Sequence, residues 1–230
     1  VIGIYLFTIA DRTTRLKYEA QKMANKKLRA NKNTIARFIK EITGDWSDCP
    51  NQVGLFEIRC LGEDKTTVSQ IFASDAVGEA TDLAFRMNAN KLNVYMTINP
   101  INIDAVIKSG KGAKDGDILR AHYSFADADD VQGIAGLDEL AEIIEPDITV
   151  TTGTIPHERR HAYWRLTEPC LDLPLWKERQ KQIAVKFKTD KAVVNPSRIM
   201  RLAGTVSYPS SSKATKGYVP ELVTMHEGSI

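Results

Sequence analysis

Three groups of side chains in this sequence could act in one reaction. The first is Asp127-Ala128-Asp129, at the end of LRAHYSFADAD (119–129), which reads as a strand running into acids. Alternate residues of a strand face the same side, so both carboxylates would project together. A divalent cation relieves their repulsion, and an all-oxygen ligand set favours Mg2+ or Mn2+. The plainer alternative is an acidic strand end or turn, with Asp130 a solvated extension of the run. The second group lies in TTGTIPHERRHAYW (151–164). His157 and His161 are four apart, a metal-pair spacing on a helix. Pro156 before them and the β-favouring Ala162-Tyr163-Trp164 after them instead predict a turn entering a strand. A histidine there is either structural or a hydrogen-bond donor to phosphate, helped by Arg159 and Arg160. The third group is Asp190 followed by NPSRIMRLAGT (195–205). Here 196–203 reads as a short helix opening at Pro196 and capped by Asn195, with Arg198 and Arg201 on one face. Guanidinium groups suit bidentate phosphate binding, and a surface helix with exposed arginines is the alternative. Lys213 and Lys216 add charge further on. Three acids for metal, one histidine and a pair of arginines fit phosphoryl transfer, with the cations holding a triphosphate.

Composition bounds what can position these groups. The 230 residues allow one good-sized domain with an appendage, and 43% hydrophobic residues suffice for a core. Net charge is only +2, so any nucleic-acid surface must come from local clustering. Cys49, Cys60 and Cys170 are well separated and odd in number. They suit a reducing, cytoplasmic setting and argue against a disulfide framework or a cysteine-rich zinc site. The sequence begins at Val1, not Met, as a fragment would. Its first ten residues, VIGIYLFTIA, are apolar but fall short of the roughly 20 needed to span a bilayer. They read as a buried strand or helix end, with the tail of a truncated span as the alternative. No secretory signal pattern is visible, and no membrane partner is expected.

Periodicity supplies the elements. Residues 12–42 read as helix, with Asn33-Thr34 capping a second helical piece. This segment carries Arg12, Arg15, Lys17, Lys22, Lys26, Lys27, Arg29 and Lys32. It is either a solvated face or a phosphate-backbone contact. Strands are predicted at 54–61, 92–100, 119–129, 148–156 and 161–166. Helices are predicted at 76–88, 137–145 and 173–187, the last with Leu175, Arg179, Ile183 and Phe187 in one row. Residues 109–117 form a glycine- and charge-rich loop without P-loop spacing, and the chain from Ser207 on reads as loop. Intermingled strands and helices give an α/β (α+β) domain.

With these residues in hand, the sequence resembles the archaeo-eukaryotic primase superfamily, in particular the primase–polymerase domains of RepB-like plasmid and phage replication proteins. The likeness covers roughly 45–220 and rests on an ordered set of motifs. These are Asp127-x-Asp129 at a strand end, a T-G-x-x-P-x-x-R-x-H-x-Y-W context that makes His161 the family histidine, and a third acid, Asp190, followed by R-x-x-R-L-x-G-T at 198–205. The strand N-V-Y-x-x-x-N-P at 93–100 is similar to the family's upstream element. One departure is Ala203, where the family usually has proline, which puts the rigidity of that turn in question.

The resemblance implies a two-part core with an RRM-like sheet bearing the site. It implies that Asp127, Asp129 and Asp190 hold Mg2+ or Mn2+. His161, with Arg159 beside it, would contact the phosphates of the incoming nucleotide. Arg201 and Lys213 would neutralise the triphosphate, and Arg198 would face nucleotide or template. Expected partners are single-stranded DNA template, nucleoside triphosphates and a replicative helicase in the same or another chain. The expected organisation is a basic N-terminal helical segment (1–42), a catalytic domain (43–220) and a tail (221–230). Two rivals use the same residues: a metal-dependent nuclease, and a replication-initiator DNA-binding module whose polymerase site is inactive.

Overall fold

The computed structural model describes residues 28–44, 46, 49, 54–102, 104–105 and 112–228. The apolar run at the start and most of the basic segment, including Arg12 to Lys27, lie outside the described residues. Among the described residues, antiparallel sheets mix with five α-helices, as expected for a primase-type core.

Helix α1 (Lys32–Thr43) is capped two residues before the expected Asn33: the Asn31 side chain accepts from the backbone N–H groups of Asn33 and Thr34. Such a cap contributes about 1 kcal/mol. The apolar stripe Ile35, Phe38, Ile39 and Ile42 contributes more. All four are fully buried, at roughly 1.5–3 kcal/mol each. This stripe joins the main core, so α1 belongs to the same folded body as the strands after it.

The first sheet has the order β2-β1-β3-β7 and is antiparallel throughout: β1 (Leu55–Leu61), β2 (Thr67–Ala73), β3 (Asn93–Thr97) and β7 (Ile199–Arg201). Helix α2 (Val77–Ala89) packs on it. Phe56, Ile58, Cys60, Val94 and Met96 turn one face into the core. The opposite face carries Asn93, Tyr95 and Arg201. Strand β2 was not anticipated, because an edge strand that is half exposed shows little alternation.

The second sheet has the order β10-β5-β6-β4: β4 (Ala121–Ala128), β5 (Ile148–Gly153), β6 (Arg159–Cys170) and β10 (Thr224–Glu227). It is buried on both faces. Tyr123, Phe125, Val150 and Tyr163 enter the main core, while Ala126, Ala128, Ala162 and Trp164 form a second cluster with Leu137 and Phe187. Helices α3 (Val131–Ile143) and α4 (Leu173–Lys186) pack against this sheet. Helix α3 starts well before the predicted 137. Gly133 and Gly136 weaken the local helical pattern, but Asp130 is an N-cap and accepts from Gly133 N at 2.8 Å. In α4 the buried row is Trp176, Gln180 and Ala184, one position on from the predicted Leu175 row. Trp176 and Gln180 donate to the carbonyls of Tyr123 and Phe125.

Two expectations fail near the C-terminal end. Residues 196–203 are not a helix capped by Asn195; a turn leads into β7, whose Ile199, Met200 and Arg201 pair with Thr97, Met96 and Tyr95. The Asn195 side chain donates to Asp115 and Ser197 instead. Nor is the chain beyond Ser207 a loop. Strands β8 (Val206–Ser207) and β9 (Glu221–Leu222) pair, α5 (Ser211–Ala214) lies between them, and β10 completes the second sheet against β5. Among the described residues no helix is long and apolar enough to cross a membrane.

Candidate active site

Register places the acids. On β4, Asp127 lies opposite His161 of β6. The odd-numbered residues of both strands share one face, while Ala126, Ala128 and Ala162 pack behind it. Asp129 lies just past the end of β4 and is exposed, which frees its carboxylate for the same side. Asp190 comes from the turn after α4. Its N–H donates to the Asp127 carbonyl at 2.8 Å, an extension of the ladder that sets the third acid beside the first. Lys188, with φ of 55°, makes the sharp turn that leads there.

These acids share a cavity of about 440 Å³ with Arg159, His161, Arg198, Arg201 and Lys213. Its walls come from both sheets and from the segment 207–219. The electrostatics reflect the enclosure. The Asp127 side chain is only 15% exposed, and its Oδ1 is buried without a hydrogen-bond partner. Burial first, and then the charges of Asp129 and Asp190, push its carboxyl up to about 8, against the pull of Arg201 and Lys213. His161 is pushed down to about 3 by burial and by the charge of Arg201. Its Nε2 lies 3.6 Å from Asp127 Oδ1, beyond hydrogen-bond range, and its Nδ1 is 3.1 Å from the Tyr163 hydroxyl. Carboxyl and imidazole are thus both driven towards their neutral forms.

Among the described residues, no three His, Cys, Asp or Glu side chains enclose a point that could hold a metal ion. All three acids line the same cavity. An orphaned, buried carboxylate oxygen in the field of two more carboxylates fits a hard divalent cation that takes its remaining ligands from water or phosphate.

The basic side divides in two. Arg201 has neutral partners: it donates to Asn93 Oδ1 at 2.6 Å and Tyr95 OH at 2.9 Å, and its guanidinium lies 4.8 Å from the Tyr95 ring centroid. Lys213 is exposed and reaches in from α5. Arg159 is different. It pairs with Glu221 at 2.9 Å, donates to the carbonyls of Ile155 and His157, and lies against the Tyr218 ring. A side chain at Gly153 would occupy the space of its guanidinium. Arg159 therefore shapes the wall. Arg160 faces the back of the sheet, where it pairs with Asp138 and Glu158. Arg198 lines the cavity and donates to the Ala192 carbonyl; it shares no helical face with Arg201. His157 lies at the rim, its Nε2 2.8 Å from the Asp129 carbonyl.

The turn after Arg201 does not need proline at 203. Gly204 adopts φ of +83°, and a Cβ there would meet the backbone of α1's first turn. Asn31 N donates to the Gly204 carbonyl at 2.7 Å, and Gly204 N donates to the Val223 carbonyl at 2.8 Å. Asn93 and Tyr95 entered the sequence reading only through the N-V-Y-x-x-x-N-P strand, with no role in the site. Tyr218 and Glu221 were not singled out, and both lie where the sequence reads as loop.

No model of a known protein family matches the sequence, and no curated protein does. Solved structures do match. The AEP domain of the primase–polymerase of cyanophage S-2L superposes with a TM-score of 0.53 at 21% identity, covering 76% of this chain and 82% of that one. The chain has the fold of a primase–polymerase catalytic domain. The primase RepB′ gives a TM-score of 0.56 at 18% identity over 84% of this chain, which spans 56% of the RepB′ chain. The catalytic domain of RepB′, solved with initiator DNA, gives 0.50 at 18% identity, covering 80% of this chain and 84% of that one.

Proposed function

We propose that this domain is a DNA primase–polymerase, joining nucleoside triphosphates on a single-stranded DNA template. The observation that carries the reading is the cavity in which Asp127, Asp129 and Asp190 face Arg201, Lys213 and His161. An acid cluster opposite unneutralised cations suits a metal–triphosphate complex, negative at its phosphates and positive at its ions. Asp127, Asp129 and Asp190 would hold Mg2+ or Mn2+, which when bound activates a 3′-hydroxyl and stabilises the leaving pyrophosphate. Arg201 and Lys213 would neutralise the triphosphate. If the Tyr163 hydroxyl donates to His161 Nδ1, Nε2–H is left as a neutral donor for a phosphate oxygen. Arg198 lies at the cavity edge, where nucleotide or template would meet it. Arg159 would act through Glu221 and the Thr154–His157 turn, apart from the phosphates. The basic segment 12–32 would add affinity for the template backbone without reading sequence.

The test is synthesis on single-stranded DNA without a primer, with ribo- and deoxynucleotide pools tried separately and pyrophosphate release followed alongside. Labelled product with stoichiometric pyrophosphate supports the reading. Shortening of the DNA without incorporation would establish the nuclease instead, and DNA binding with neither would establish a module with a dead site.

A further inference from the structure

Beyond the residues that would touch phosphate, the structure shows how the two cations are kept together. Arg201 sits on β7 of the first sheet, and Lys213 sits on the strap Tyr208–Pro220. One side chain joins them. Asn93 Oδ1 accepts from Arg201 at 2.6 Å and from Tyr208 N at 2.8 Å, and its Nδ2 donates to the Tyr208 carbonyl at 2.8 Å. The amide thus pairs with the Tyr208 backbone as a strand neighbour would, while orienting the guanidinium. Five residues earlier, Asn88 makes the same two-way pairing with Val206, at 2.8 Å in each direction. Two side-chain amides therefore stand in for a ladder at the root of the strap. Of the two, Asn93 alone also holds a charged group of the cavity.

We infer that Asn93 is a positioning residue that makes Arg201 and the Lys213 strap a single triphosphate grip. The inference rests on the nucleotide reading above. A carboxylate at this place would neutralise Arg201, and an alkyl side chain would leave the strap root free to drift. The amide does neither. Asn93 is only partly buried, so replacing it does not open the core.

The test is a double-mutant cycle read as binding, measured calorimetrically with Mn2+ and a non-hydrolysable nucleoside triphosphate, and in parallel with the matching monophosphate. Asn93→Ala should weaken triphosphate binding about tenfold, the scale of one charge-assisted hydrogen bond, and monophosphate binding by much less. Lys213→Ala should weaken triphosphate binding similarly in the native background but hardly at all beside Asn93→Ala, because the lysine is already out of place. If Asn93→Ala shows no cooperative melting transition, Asn93→Asp replaces it in the cycle, with loss in the same direction. Additive effects of the two substitutions, or equal losses for mono- and triphosphate, would overturn the inference. A native protein that binds no triphosphate at all would remove the nucleotide reading and this inference with it.

Discussion

The two sides of the cavity are held in opposite ways. On the second sheet, Asp127 is fixed by ladder pairing and by the Asp190 N–H, yet its Oδ1 is left without a partner in the field of two more acids. On the first sheet, Arg201 donates to two partners, Asn93 and Tyr95, both neutral. The acids carry an electrostatic penalty that a divalent cation would relieve, while the arginine's hydrogen-bond partners leave its charge unmatched. Arg159, a few residues from His161, shows the contrasting case. Its charge is matched by Glu221, and its energy goes into the shape of the Thr154–His157 turn. Position in the cavity alone does not make a cation available; the charge of its partners decides.

The contrast breaks most severely at the acids. Asp127→Ala should lower nucleotide incorporation on the order of a thousandfold, the loss of several kcal/mol of transition-state stabilisation, with the fold intact by circular dichroism. Near-normal incorporation by that variant would remove Asp127 from the chemistry. Next come the cations. Arg201→Ala should raise the nucleotide KM or lower kcat by about tenfold to a hundredfold. Template affinity, followed by fluorescence anisotropy without nucleotide, should hardly change. If template binding collapses and nucleotide binding persists, Arg201 lines a DNA groove.

Arg159→Ala sharpens the same contrast from the other side. It breaks a largely buried pair with Glu221, so it should destabilise the protein by about 3 kcal/mol or more. Glu221→Gln, which removes the charge and leaves one accepting oxygen where two now accept, should also cost stability but leave the nucleotide KM within about threefold. A KM effect for Glu221→Gln as large as that of Arg201→Ala would show that Arg159 does meet phosphate.

The remaining expected effect is one of stability against pH. A carboxyl held up to about 8 in the fold, against roughly 4 unfolded, keeps its proton better folded than unfolded. Stability from this group is therefore present at low pH and lost as pH rises towards 8. In chelator, Asp127→Asn should melt above the native protein by a margin that widens between about pH 5 and 8, at roughly 2–4 °C per kcal/mol. A margin that stays flat or narrows would mean that Asp127 is not strained in the metal-free protein.

The acid side was legible in the sequence because it depends on local alternation: Asp127 and Asp129 share a parity, and His161 lies in a β-favouring run. The basic side was misread in its backbone. Arg198 and Arg201 look helical at a spacing of three, yet pairing with β3 draws Arg201 into a strand, a long-range contact that no local window contains. The strap was invisible for the same reason. Val206 and Tyr208 are held by Asn88 and Asn93, over a hundred residues earlier in the chain, and Glu221 meets Thr154 and Arg159 from 67 and 62 residues further along it. The glycine that makes the turn after Arg201 could be read from R-L-A-G-T, but not that hydrogen bonds from Asn31 and to Val223 do the work of a proline.

We propose that the acids held at the second sheet, Arg201 of the first sheet and Lys213 of the strap form a single site for a metal-bound triphosphate. A crystal structure with Mn2+ and a non-hydrolysable nucleoside triphosphate, with the metal located by its anomalous scattering, tests it most directly. Manganese should appear among Asp127, Asp129 and Asp190, with the phosphates extending to Arg201, Lys213 and His161. Manganese held away from Asp127, or phosphates bound outside the cavity, would contradict it.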